Sequence, residues 1–125
     1  MSCRLLPSGR LRLMVGPSAG AAYRECMEIT LQYFDGCPNW TIAAERLAIL
    51  AAERPGVTVN RRLVENVEDA EQIGFRGSPS MLVGGSDLFP DPSAAVGLAC
   101  RIYATPTGLA GAPTLEQLRA AIAGA

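Results

Sequence analysis

One junction limits what this chain can fold into more than any other. The apolar run Ile29-Thr-Leu-Gln-Tyr-Phe34 reads as a buried strand, and Asp35-Gly36-Cys37-Pro38 leads from it into a helical pattern starting near Asn39. Pro38 suits a first helical turn, where its missing N–H is no loss. Cys37 falls where the first unpaired N–H groups and the positive end of the helix dipole converge, a setting that favours thiolate over thiol. Trp40 stands where a two-cysteine redox motif would carry its second cysteine. The junction is therefore expected to present a single nucleophilic thiol.

The pattern that follows alternates. Ala43, Leu47, Leu50 and Ala51 recur at helical spacing through 41–53, and Pro55-Gly56 ends that helix. Residues 57–64 alternate like a strand, with Val57, Val59 and Leu63 on one side. A short acidic helix spans 65–74, capped by Asn66 and ended by Gly74. Met81-Leu-Val83 and Asp87-Leu-Phe89 flank Gly84-Gly85-Ser86, a hairpin signal, and Ser78-Pro79 stands directly before it. Residues 90–113 form a long connection rich in Pro and Gly, with a helix or turn expected over 94–102, and Pro113-Thr114 opens a final helix. Parallel pairing through crossovers, then an antiparallel hairpin, predicts an α/β fold: a four-stranded mixed sheet with helices on both faces. Residues 1–26 show no sustained period and read as a flexible extension, which leaves 27–125 as the domain.

Composition narrows the chemistry by exclusion. The 125 residues contain no histidine, and all eleven basic residues are arginine. Histidine-based triads and metal sites, lysine Schiff bases and phosphate-loop lysines are all excluded. A net charge of −1 and 49% hydrophobic content suggest neither nucleic acid nor a membrane surface as a partner. The N-terminal apolar run 13–15 is too short for a signal peptide, so a cytoplasmic location is expected, with its four cysteines reduced by default. Cys3, Cys26, Cys37 and Cys100 have no metal-site spacing, and neither a metal nor another cofactor is expected.

Taken together, Tyr33-Phe-Asp-Gly-Cys-Pro-Asn-Trp40, Gly74-Phe-Arg-Gly-Ser-Pro-Ser80 and Cys100-Arg-Ile-Tyr103 resemble the thioredoxin-like superfamily. More narrowly they resemble a small bacterial group whose relatives can carry selenocysteine at the Cys37 position, some of them labelled alkylmercury lyase. The resemblance covers about residues 28–90 and 113–124. It implies a thioredoxin-like fold in which Cys37 attacks. Pro79 would be cis, and the backbone of Ser78 would lie beside Cys37 to hold an extended thiol substrate. Lacking a second cysteine at Trp40, the chain departs from members with a working dithiol motif.

Two readings stand for Cys100: a resolving cysteine that reaches Cys37 from the long connection, or a small buried residue, since Ala99 and Ile102 also look buried. Trp40 either packs over the first helical turn or stacks on a substrate. Arg76 and Arg101 are candidates for attracting an anionic thiol such as glutathione, unless they are simply solvated, and Asp35 either shuttles a proton or shapes the turn. The leading expectation is a thiol oxidoreductase acting on a thiol or disulfide substrate, glutathione or a protein thiol, with Cys37 resolved by Cys100 or by an outside thiol. The alternative is a soft-metal or mercury-binding protein, or an alkylmercury lyase-like enzyme, using Cys37 and Cys100 as a two-thiolate pair.

Overall fold

A computed structural model of the chain describes residues 3–5, 11–14 and 23–124. Eight strands and three helices follow in the order β1 (Cys3–Leu5), β2 (Leu11–Met14), β3 (Tyr23–Tyr33), α1 (Trp40–Glu53), β4 (Val57–Leu63), α2 (Val67–Ile73), β5 (Ser80–Val83), β6 (Ser86–Asp87), β7 (Tyr103–Thr105), β8 (Gly108–Ala110) and α3 (Leu115–Ala123). The protein is α/β, and a four-stranded mixed sheet lies at its centre. β3 pairs in parallel with β4, from Met27↔Val57 to Tyr33↔Leu63, and antiparallel with β5, from Ile29↔Val83 to Gln32↔Ser80. β6 continues the sheet beyond β5. The N-terminal part of β3, Tyr23–Cys26, pairs with β2, which pairs with β1. The extension expected over 1–26 lies otherwise outside the described residues.

The period of two along the strands decides where the core forms. Ile29 and Leu31 of β3, Val57 of β4 and Met81 of β5 share one buried cluster with Ala43, Leu47 and Leu50 of α1 and Leu118 and Ile122 of α3. The apolar stripe expected of α1 is thus the stripe that faces the sheet. A smaller cluster of Val64, Ala70 and Phe75, with Phe34, Ile73 and Leu98 against it, seats α2. Its ends follow the sequence signals: the Asn66 side chain accepts from Asp69 N–H at 2.8 Å, and Gly74 closes the helix in the left-handed conformation at φ 68°. α3 starts with a reciprocal cap in which Thr114 and Gln117 each accept from the other's backbone N–H, at 3.1 and 2.9 Å. No described helix is long and apolar enough to cross a membrane.

The connection after β6 departs from the sequence reading. Over 94–102, where a helix or a turn is expected, no helix forms and the backbone runs in bends. Asp91 holds a single turn by accepting from Ser93 N–H and Ala94 N–H, and Gly97 N–H then donates to Phe75 O at 3.0 Å, drawing the backbone toward the sheet. A hairpin the sequence reading missed, β7–β8, follows with Thr105↔Gly108 as its last pair. Its signal was present: Pro106 and Gly108 occupy the second and fourth positions of a β-turn, where each is favoured.

Candidate functional site

The site is assembled where β3 ends. Cys37 N–H donates to Phe34 O at 3.3 Å, closing a tight turn over Asp35 and Gly36. A Cβ at Gly36 would lie 2.6 Å from the Phe34 ring, so glycine lets that ring close over the turn. Asp35 is exposed in this turn. Pro38 O then accepts from both Thr41 N–H, at 3.2 Å, and Thr41 Oγ1, at 2.8 Å. Asn39, at the start of α1, makes no side-chain cap. Its amide is pressed against Gly111 instead, where an added Cβ would meet Nδ2 at 2.2 Å. Trp40 packs on the main core and stacks on Tyr33 at 4.2 Å, with the Arg61 guanidinium 5.4 Å from its ring centre.

Opposite this turn, the Ser78–Pro79 peptide bond is cis. Ser78 O lies 3.6 Å from Cys37 Sγ, and Ser78 Oγ accepts from Phe34 N–H at 3.4 Å. Cys37 is joined to Cys100 in a disulfide, with Cα atoms 5.7 Å apart, a separation suited to the bond. The two sulfurs are thus placed to bond to one another. Cys37 is fully buried, at 0% exposure, whereas Cys100 is exposed. The reading of Cys100 as a buried apolar residue does not hold: Ala99 is exposed and Ile102 is 65% exposed.

The backbone that carries Cys100 occupies the place expected for an extended substrate. Ser78 N–H donates to Ala99 O at 2.8 Å, and Arg101 N–H donates to Ser78 O at 2.9 Å, so Ser78 and Cys100 face each other as a parallel bridge. Both backbone groups of Ser78 are spent on the chain itself. Gly77 permits this approach at φ 111°, since a Cβ there would lie 3.1 Å from Arg101 Cβ and 3.2 Å from Ala99 O.

Of the two arginines expected to attract an anionic thiol, Arg76 is exposed, whereas Arg101 is turned inward. Arg101 is 5% exposed and pairs with Asp87 at 2.6 Å. It also donates to Ser80 Oγ at 3.3 Å and to Phe89 O, and lies over the Tyr103 ring at 4.8 Å. Arg76 donates to Ala94 O at 2.6 Å and so holds the same connection from the other side. Tyr103 O–H donates to Pro79 O, and burial pushes the phenol well above its ordinary range, so it remains a neutral donor. Asp87 is the residue that sequence reasoning missed, together with the inward, structural roles of Arg101 and Tyr103. The signal was the alternation Arg101-Ile102-Tyr103, in which the arginine and tyrosine turn inward and the isoleucine outward, the reverse of a hydropathy reading.

Among the described residues no group of three or more Cys, Asp or Glu side chains converges to hold a metal ion. The sequence matches no protein-family model and no curated protein.

Proposed function

We propose that this protein is a thioredoxin-like thiol oxidoreductase whose working pair is Cys37 and Cys100, cycling between disulfide and dithiol. The observation that carries this reading is the 5.7 Å Cα separation of two cysteines 63 residues apart, one at the end of β3 and the other bridged to Ser78 beside a cis Pro79. A pair brought together over such a distance in sequence has the reach of a dithiol without a second cysteine at Trp40. Substrates would be low-molecular-weight or protein thiols and disulfides, and the reaction needs no cofactor beyond the two sulfurs. In a reducing cytoplasm, the compartment the sequence suggests, the pair would be returned to the dithiol after each turnover.

Equilibration in graded glutathione buffers, followed by trapping of free thiols, tests the reading. A reversible two-electron transition at a potential above about −300 mV is expected, because purely structural disulfides commonly lie below that value. A pair that stays oxidised throughout would sink the proposal. Soft-metal binding is the second reading, since two thiolates at this separation form a donor set for a two-coordinate ion such as mercury(II) or copper(I). Tight metal binding by the reduced protein, lost in both Cys37→Ser and Cys100→Ser, without thiol–disulfide exchange in the parent, would favour it over redox chemistry.

A further inference from the structure

We propose that outside thiols and disulfides exchange with this chain at Cys100, and that Cys37, the thiol at the strand-to-helix junction, is the buried partner that leaves and returns. The inference rests on the redox reading above and assigns the order of events within it. Exchange requires a thiolate to approach one sulfur of the disulfide in line with the bond that breaks. Cys37 offers no accessible surface, while Cys100 is exposed.

Cys37 Sγ lies against Ser78 O, and Ser78 is itself clasped to the backbone around Cys100 by the Ala99 and Arg101 hydrogen bonds of 2.8 and 2.9 Å. That segment is tied down by the buried Arg101–Asp87 pair and by Tyr103 O–H on Pro79 O. An outside thiolate meets Cys100, exposed on that segment, whereas Cys37 has no surface to offer.

Two further details agree with this order. In a parallel bridge the residue whose neighbours make the bonds points its own N–H and C=O the other way, so the backbone of Cys100 faces away from Ser78. Among the described residues it has no backbone partner, which leaves an edge where an extended thiol-bearing segment can pair. In the disulfide, Cys37 Sγ carries no hydrogen and merely touches Ser78 O. Once reduced, its S–H has that carbonyl, 3.6 Å away in the disulfide, as a neighbouring acceptor within the interior.

The steps balance. A thiolate R–S⁻ attacks Cys100 Sγ, the Cys37–Cys100 bond breaks, and its electron pair stays on Cys37 Sγ, which takes a proton from water. A second thiolate attacks the R sulfur of the mixed disulfide. This releases R–S–S–R and leaves Cys100 as a thiolate, which is protonated in turn. The chain gains two electrons and two protons, and two R–SH become one disulfide. Run in reverse, Cys100 thiolate attacks an outside disulfide, and Cys37 displaces the product from within.

The test places one thiol at a time in the folded protein. In a background with Cys3→Ser and Cys26→Ser, the variants Cys37→Ser and Cys100→Ser are reacted with dithiobis-nitrobenzoate, natively and in denaturing guanidinium chloride. Cys100 is expected to react at least about tenfold faster than Cys37 in the native proteins, with the difference vanishing on denaturation. Cys37 reacting as fast as Cys100, or faster, overturns the proposal. Since Cys100→Ser removes the bond that holds the covering segment, a second measurement keeps that bond. The oxidised protein with both cysteines is mixed with the coloured aromatic thiolate and quenched with acid, and the adduct is mapped by mass spectrometry. An adduct on Cys100 is the expected result, and one on Cys37 contradicts it. The reactivity order is readable even in a protein whose disulfide resists glutathione, so failure of the redox reading and failure of this assignment are distinguishable.

Discussion

The two halves of the site are held by different forces. The Cys37 half is a strand-to-helix turn fixed by apolar packing: Ile29 and Leu31 below it, Leu47 and Leu50 along α1, and Trp40 against Tyr33. The Cys100 half is an irregular connection in which Leu98, Phe89 and Tyr103 pack on the core but the path between them is fixed by polar bonds, above all those of Arg101, Tyr103 and Arg76. Apolar burial is non-directional and survives small shifts, whereas a buried guanidinium tolerates none, because every donor it loses is left unpaired. The Cys37 half should therefore govern the stability of the domain, and the Cys100 half the chance that the two sulfurs meet.

The largest effect is expected from Arg101→Ala. Removing the cation leaves Asp87 and Phe89 O without their partner, at a cost of about 3 kcal/mol in denaturant unfolding. The same variant should shift the glutathione equilibrium toward the dithiol by about tenfold, as the effective concentration of Cys100 near Cys37 falls. Trp40→Ala sharpens the contrast. It should cost about 2 kcal/mol through lost packing of a half-buried ring, yet leave the redox equilibrium within about threefold of the parent. Equal redox shifts in both variants would break the division between the halves.

Gly77→Ala places a Cβ against Arg101 and Ala99 at a positive φ, and about 1.5 kcal/mol of strain is expected, visible as a lower melting temperature and a looser disulfide. Tyr103→Phe, the mildest change, removes one buried hydrogen bond to Pro79 O and should cost about 1 kcal/mol at neutral pH. Its pH dependence has a definite sign. Because burial raises the folded phenol, the contribution of Tyr103 is intact below the ordinary tyrosine value of about 10 and is lost as pH rises above it, where the unfolded chain sheds the proton first. Unfolding measured from pH ~9 to ~11 should slope downward more steeply in the parent than in Tyr103→Phe.

The elements from β3 through β6, and α3, could be read because each is encoded by its own residues. Alternation in Val57 to Leu63, the helical stripe of Ala43, Leu47 and Leu50, and the caps Asn66, Gly74 and Thr114 are all local signals. Cys37 was found the same way, whereas the roles expected of Ser78 and Pro79 came from a family resemblance. The connection resisted because its order comes from elsewhere. Arg101 is fixed by Asp87, fourteen residues away, and Tyr103 by Pro79, twenty-four away. With Arg101 inward and Ile102 outward, the hydropathy of that stretch argues for the wrong face.

By itself the sequence determined the α/β order of elements and the presence of a cysteine at a strand-to-helix turn, because period, caps and turn residues act within a few positions. It also removed every histidine- or lysine-based chemistry. Only the tertiary structure decided that Cys37 is sealed and that Ser78 is already paired. The same is true of the position of Cys100, outermost of the two sulfurs. Those outcomes depend on which long-range hydrogen bonds satisfy a buried arginine and a buried tyrosine, and no local pattern specifies that choice.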